Sequence, residues 1–414
     1  MEPVRVILVG VRGYGSSYVH SLLSRDGSNA LQLVGVVDPA AAPGSALGMP
    51  REIRARNIAA YDQLQAALRE TKPDLTIISS PLHLHAAQTC DALSHGSSVL
   101  CEKPLAATAA EALHVVAESE GRRDGRFVAI GYQWSFTSAV QALKRDIMAG
   151  ALGKPIRFRT LVSFPRGENY YRRNEWAGRL TTDADEPVFD GPINNATAHY
   201  LHNMLYVLGS TRETSASPAW VEAELYRANP IESYDTAALR CMTESGVELL
   251  FYTTHATPRR AGPMFHFEFE RATVEYDDSG GGRASFLARF ADGSVRDYGQ
   301  PEAEREEKVW QCVDAVRSGK PVACGPRASL PHALCVAAAH ASSPIRDVPE
   351  SLKRRSDWEE SASGGDIIWV DGLAGAMADC FKRAVLPSEA GLDWAATARR
   401  ISASLPAEKI NAAG

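Results

Sequence analysis

The run Val4 to Val9 passes directly into Gly10-Val11-Arg12-Gly13-Tyr14-Gly15 and then into a helix-like segment, Ser16 to Leu23. A β-branched strand that turns through glycines into a helix opens a βαβ unit, and this constrains the fold more than any other feature of the chain. Glycine lets the backbone reverse sharply. The helix N-terminus beyond it offers N–H groups and a positive dipole end to an anion. Gly10 and Gly15 take the outer positions of G-x-G-x-x-G, but Arg12 stands at the middle one. Read alone, the motif fits a plain tight turn as well as a phosphate cradle.

Asp38, at the end of the second strand, shifts the balance toward the cradle. Candidate strands Leu31 to Val37, Asp74 to Ser79, Ser98 to Glu102 and Phe127 to Gly131 alternate with helical segments Asp62 to Glu70, His83 to His95 and Thr108 to Gly121. This pattern predicts a doubly wound α/β Rossmann domain over residues 1–135, with ligands at the carboxyl ends of its strands. Asp38 ends the second strand, where an acid accepts hydrogen bonds from an adenosine ribose. The same carboxylate repels a 2′-phosphate, and no arginine follows it in Pro39-Ala40-Ala41-Ala42-Pro43. The expected cofactor is NAD, with NADP disfavoured.

The 414 residues allow a second domain. Residues 136–345 read as α+β: a helical segment Ser138 to Ala149, a strand Ile156 to Phe164, and a helix Ile193 to Leu208 opened by Gly191-Pro192 and closed by Gly209. Successive strands follow at Trp220 to Arg227, Thr236 to Thr243, Val247 to Thr254, Phe265 to Phe269, Thr273 to Tyr276 and Ala284 to Phe290, predicting a large, mostly antiparallel open sheet. Helices are expected near Glu304 to Ser318, Leu330 to Ser342 and Asp371 to Arg383. Residues 346–414 form a tail with a polar loop, Glu350 to Gly365, and a frayed last dozen residues.

Composition narrows the function by exclusion. A formal charge of −6, with acids and bases interspersed, gives no reason to expect nucleic acid or an anionic membrane as partner. No stretch approaches the roughly 20 apolar residues of a membrane span, and the opening residues do not read as a signal peptide, so a cytoplasmic location is expected. Seven cysteines without a C-x-x-C pair read as buried thiols rather than disulfides or a zinc site.

Three further motifs stand at strand ends: Ser79-Ser80-Pro81-Leu82-His83-Leu84-His85, Glu102-Lys103-Pro104 and Gly131-Tyr132-Gln133. With Gly-Ala-Leu-Gly-Lys-Pro at 150–155, they resemble the glucose-fructose oxidoreductase, inositol dehydrogenase and rhizopine catabolism (Gfo/Idh/MocA) family over nearly the whole chain. The resemblance implies an NAD-dependent oxidoreductase acting on a hydroxyl of a sugar, cyclitol or related polyol, assembled as a homodimer or homotetramer. It implies a cofactor site of Gly10, Arg12, Gly13, Tyr14, Gly15, Asp38, Ser80, Pro81, His85, Glu102, Lys103 and Gln133.

Lys103 matches the family lysine beside the nicotinamide, and an ammonium there can bind the oxygen of the reacting carbon. The bland reading makes it a surface lysine paired with Glu102. The family's second motif, an aspartate four residues before a histidine on a helix, appears as Asn195 and His199 on one expected helical face. Asparagine holds a hydroxyl but cannot take a proton. Asp190 reads as a helix cap, and His199 with His202 lacks a third metal ligand. The implied substrate set adds Tyr171, Arg173, Trp176 and Arg179 from the aromatic and cationic stretch 169–179, where a solvated loop anchored by one tryptophan is the plain alternative. His83 reads as a helix start. Because Asn195 replaces an acid, a redox-neutral lyase or glycosidase and a non-catalytic NAD sensor remain as alternatives.

Overall fold

A computed structural model describes residues 2–26, 30–42, 45, 48–281, 284–357 and 365–403. They form two compact units, one from residues up to 136 together with 305–330, the other from 137–304 together with residues from 331 onward. The last eleven residues, most of the stretch expected to fray, lie outside the described residues.

The first unit is built on β1 (Val4–Val9), α1 (Gly15–Arg25), β2 (Leu31–Val37), α2 (Arg51–Ala55), β3 (Ala60–Tyr61), α3 (Leu64–Thr71), β4 (Leu75–Ile78), α4 (His85–Ser94), β5 (Ser98–Cys101), α5 (Ala109–Glu120) and β6 (Val128–Ile130). The strands pair in parallel in the order β3-β2-β1-β4-β5-β6. The central strands are fully buried, as aliphatic runs covered on both faces must be. Thr108 starts α5 through a reciprocal capping box with Glu111, which fixes that helix entry by satisfying orphan backbone donors. The strand order reverses between β1 and β4, and the crevice outside their carboxyl ends is where such sheets bind ligands.

The helix Glu307–Ser318, expected in the second domain, belongs to the first unit. Its residues are drawn there by polar contacts invisible to local periodicity. Gln311 Nε2 donates to the Phe136 carbonyl at 2.7 Å, Arg317 Nη2 to the Ala30 carbonyl at 2.9 Å, and Arg327 just beyond it pairs with Glu120. Ile130 N–H donates to the Cys324 carbonyl at 2.8 Å, so this segment also satisfies the edge of β6.

The second unit adds α6 (Ser138–Met148), β7 (Pro155–Ser163), α7 (Glu168–Tyr171), α8 (Ala198–Val207), β8 (Pro218–Arg227), β9 (Thr236–Thr243), β10 (Glu248–Thr254), β11 (Ala261–Phe269), β12 (Ala272–Asp277), β13 (Leu287–Phe290), β14 (Val295–Asp297) and β15 (Arg346–Asp347). These strands form one sheet ordered β14-β13-β12-β11-β7-β10-β9-β8-β15, antiparallel except for the β7–β10 and β8–β15 pairs, with Ile401–Ser402 also pairing to β8. Leu161, Leu250 and Tyr252 pack in one apolar cluster with Met377 and Cys380 of the helix Leu373–Arg383.

The polar loop expected at 350–365 instead contains a strand, Lys353–Asp357, paired with Asp366–Val370. Its charged residues are almost all exposed, so no apolar alternation announces it. Residues 358–364 of that loop lie outside the described residues. The cysteines carry free thiols, all buried except the half-buried Cys90.

Candidate active site

The glycine turn is shaped by close approach. Gly10 has φ +80°, and a Cβ there would lie 2.8 Å from the Ser79 carbonyl oxygen at the end of β4. A Cβ on Gly15 would lie 2.2 Å from the Gly10 carbonyl oxygen, so neither position admits another residue without moving backbone. At Gly13 a Cβ would meet nothing within 4 Å, which leaves bare backbone facing open space. The helix beyond has no acid in its first turn and no side-chain cap. This cradle fits a dinucleotide pyrophosphate.

Arg12, in the middle-glycine position, turns its guanidinium onto Asp38, with Nη2 2.7 Å from Oδ1. Asp38 also accepts from Ala40 N at 2.9 Å and from Val11 N at 3.1 Å. The acid at the end of β2 is therefore fixed to the fingerprint loop itself. Arg12 substitutes an ion pair for the close backbone packing that a glycine would give.

Lys103 follows β5, half-buried, and its peptide bond to Pro104 is cis. Glu102 Oε2 accepts from the Lys103 backbone N–H at 3.2 Å. The Glu102 carboxylate is buried and takes its charge partner from Lys308, 206 residues away, together with the Tyr18 hydroxyl at 2.5 Å. Burial pushes the Glu102 carboxyl up, but the Lys308 ammonium and the hydrogen bonds from Lys308 and Tyr18 outweigh it and hold it below the ordinary value. Burial likewise lowers Lys308, and Glu102 more than restores it. Gly131 makes room for this pair, since a Cβ there would lie 2.9 Å from Glu102 Oε1.

Two neighbours complete the turn. Tyr14 donates to Gln133 Oε1 at 3.4 Å and accepts from Lys308 Nζ at 3.5 Å, tying the fingerprint to the same cluster. His85 is fully buried, with Nδ1 2.7 Å from the Pro104 carbonyl and Nε2 3.0 Å from the Ser80 carbonyl. It thus joins the loop carrying Ser80 and Pro81 to the turn carrying Lys103. Burial lowers the His85 pKa, and a neutral ring donates to one carbonyl at a time. His83 lies in the short 3-10 turn Leu82–Leu84 just before α4.

In the second unit the expected helix start is corrected. α8 begins at Ala198, and Asn195 sits in the turn before it rather than on one helical face with His199. The cause is Thr197: its hydroxyl donates to the Pro192 carbonyl at 2.7 Å and lies 3.0 Å from Thr253 Oγ1, diverting the backbone from helix. Asp190 is also corrected, because α8 has no side-chain cap. Buried Asp190 accepts from Gly178 N at 2.7 Å and from Asn195 Nδ2 at 2.8 Å. A buried aspartate therefore stands in hydrogen-bond contact with Asn195.

Arg173 lies 3.7 Å from Asp190 and stacks over the Tyr170 ring at 3.7 Å, with Trp176 at 5.2 Å. The Tyr171 hydroxyl is 3.3 Å from Nδ1 of His255. Tyr171, Arg173, Trp176 and Asn195 thus belong to one connected set. Arg179 does not join it through its charge, which is spent on Asp183 at 2.6 Å and Glu232 at 3.8 Å. His199 is the second residue of α8, half-buried, its ring 6.5 Å from that of Tyr200. Sequence reading misses Lys308, His255 and Arg166; only their place after an expected strand marks the last two. Among the described residues no group of three His, Cys, Asp or Glu side chains is placed to hold a metal ion, and no helix is long and apolar enough to cross a membrane.

Residues 4–132 match the model of the GFO_IDH_MocA oxidoreductase family, NAD-binding Rossmann fold. Over this domain the chain is similar to the Gfo/Idh/MocA family. The matched domain is an NAD-binding one, in agreement with the expectation from Asp38. An inositol 2-dehydrogenase of Saccharopolyspora erythraea is 33% identical over 153 residues, 37% of this chain and 44% of that protein. The D-glucoside 3-dehydrogenase of Escherichia coli K12 is 29% identical over 212 residues, 50% of this chain and 55% of the relative. The chain thus spans about half the length of the curated relatives it matches. Among solved structures, the WlbA dehydrogenase of Chromobacterium violaceum in complex with NADH and UDP-GlcNAcA superposes with a TM-score of 0.66 at 18% identity, covering 82% of this chain and 94% of that one. A levoglucosan dehydrogenase in complex with NADH gives 0.65 at 16% identity, covering 82% and 96%. These likenesses show the shared fold.

Proposed function

We propose that this protein is an NAD-dependent oxidoreductase acting on a CH–OH group of a sugar, cyclitol or related polyol. The observation that carries the reading is Lys103 at the carboxyl end of β5, its backbone anchored to the buried Glu102–Lys308 pair that also contacts the fingerprint residue Tyr14. The relatives named inositol 2-dehydrogenase and glucoside 3-dehydrogenase support the substrate class.

The backbone at Gly10, Gly13 and Gly15 would hold the pyrophosphate, Asp38 the ribose, and the Ser80-Pro81 loop with Gln133 the nicotinamide. NAD, when bound, supplies the hydride acceptor. Lys103 hydrogen-bonds the substrate oxygen and favours its developing negative charge. His199 exchanges the hydroxyl proton. A carboxylate only accepts, so the Asp190 contact fixes the Asn195 amide with nitrogen toward Asp190 and oxygen turned away. That oxygen orients a substrate hydroxyl, as an acceptor rather than a base.

Purified protein with NAD and a panel of polyols and sugars should develop the absorbance of reduced nicotinamide, and Lys103→Ala should nearly abolish it. A full panel without turnover, or an undiminished Lys103→Ala variant, defeats this reading.

A further inference from the structure

Two guanidinium groups lie against the Tyr170 ring in the second unit, and among the described residues one acid, Asp190, stands in ion-pair contact with one of them. Arg166 follows β7, and its backbone N–H donates to the His255 carbonyl at 3.2 Å. Its guanidinium lies 4.7 Å from the Tyr170 ring centroid, while Arg173 lies 3.7 Å from the same ring. Among the described residues no acid stands in ion-pair contact with Arg166, and its buried Nε has no hydrogen-bond partner. Arg173 shares Asp190, whose oxygens already accept from Gly178 and Asn195. Arg260, over Phe164 at 4.4 Å, has its own acid, Asp278, at 3.8 Å. Asp235 makes no ion-pair contact with Arg166 or Arg173 among the described residues, its carboxyl accepting from two backbone N–H groups, the Asn229 amide and the Thr236 hydroxyl.

A second observation points the same way. His255 is only 2% exposed, its Nδ1 faces the Tyr171 hydroxyl, and its Nε2 has no hydrogen-bond partner among the described residues. A buried polar atom left so is costly unless a ligand meets it. Burial and then the charges of Arg166 and Arg173 hold this ring neutral, well below the ordinary histidine range, so it adds no positive charge of its own.

We propose that the substrate carries a carboxylate, a sugar acid of the uronate or aldonate class, held by the Arg166 guanidinium beside Tyr170 with His255 hydrogen-bonding one of its oxygens or an adjacent hydroxyl. This rests on the oxidoreductase reading above and names the substrate class for it. The planar fork of arginine matches a carboxylate's two oxygens. A carboxylate is a monoanion and balances one unpaired guanidinium, whereas a phosphate ester near −2 overcompensates it.

The test compares one sugar in two charge states. The NAD-loaded protein is titrated calorimetrically with D-glucuronate, its methyl ester, D-galacturonate, D-glucose and glucose 6-phosphate, and each is offered for turnover. A uronate should bind, and react by kcat/KM, at least about tenfold better than its neutral counterparts, as one charge-assisted hydrogen-bonded contact supplies. Arg166→Gln should lower that value for the acid by about 10- to 100-fold and bring the acid-to-ester ratio toward one, with Arg166→Lys between. Equal handling of acid and ester, or an unchanged ratio in Arg166→Gln, overturns the proposal while leaving the oxidoreductase reading intact. Preference for glucose 6-phosphate overturns the carboxylate assignment. If no sugar reduces NAD yet uronates still bind selectively, the oxidoreductase reading fails and the acid site stands. Should Arg166→Gln fail to fold, the acid-to-ester comparison on the natural protein decides alone.

Discussion

Replacing Lys308 by methionine keeps the shape of the side chain and removes its charge, which leaves Glu102 buried without a cation. A carboxylate in that position has one escape: it takes up a proton on folding. The cost of that escape rises by about 1.36 kcal/mol for each pH unit above the ordinary carboxyl value, which is 4.5 here. At pH 7 this amounts to about 3.4 kcal/mol, within the roughly 3–5 kcal/mol typical of breaking a buried pair, and at pH 5 to about 0.7 kcal/mol. The sign follows because the variant's folded Glu102 titrates above its unfolded value, so stability falls as pH rises through that window. Denaturant unfolding of the natural and Lys308→Met proteins at both pH values gives the difference, from which other titrating groups cancel. Hydrogen exchange of the β1 and β5 amides assigns it to the first unit. Adding Glu102→Gln should recover part of the loss at pH 7. A difference below about 1 kcal/mol at pH 7, or one independent of pH, refutes the reasoning.

Three further outcomes are expected. Gly131→Ala drives a Cβ to 2.9 Å from Glu102 Oε1 and should cost about 1–3 kcal/mol, read from the urea midpoint; a neutral effect means the glutamate moves freely. Asp38→Ala strands Val11 N, Ala40 N and Arg12 and should weaken NAD binding, measured by calorimetry, by more than about tenfold while narrowing the gap to NADP; unchanged affinity removes Asp38 from the ribose. Burial lowers His85, His202, His255 and His340, the last to about 4, so their stability contribution is present above the unfolded value of 6.5 and is lost as pH falls through the folded ones. Unfolding midpoints should therefore drop between pH 6.5 and 4.5, by up to about 1.4 kcal/mol per pH unit for each histidine protonated only when unfolded, and a flat profile counts against it.

The first sheet is legible in the sequence because its physics is local. The expected and observed ends of β1 and β2 coincide, since buried parallel strands are continuous aliphatic runs and the turns between them are written in glycine and aspartate. The hidden features depend on distant partners. Nothing near Lys308 in sequence marks it as the counter-charge of Glu102, and a lysine in an amphipathic helix ordinarily faces water. The start of α8 escapes sequence reading because Pro192 and the spacing of Asn195 and His199 fit a helix, whereas the Thr197 hydroxyl, reaching Pro192 and Thr253, settles the backbone otherwise. Capping is the commonest use of an acid before a Gly-Pro pair; the contact of Asp190 with Asn195 exists only once that turn forms.

The segment 305–330 also governs how the protein is made. β6 ends the first sheet, and its Ile130 N–H finds its acceptor on Cys324. At about 5–20 residues per second, a ribosome that has finished residue 136 needs roughly 10–40 s more to deliver residue 330. Through that interval the nascent sheet carries an open edge, the kind of surface on which strands of other chains add. The domain synthesised first is thus completed late, and a fragment cut at residue 136 is an unfinished domain needing a chaperone or the missing segment supplied in trans.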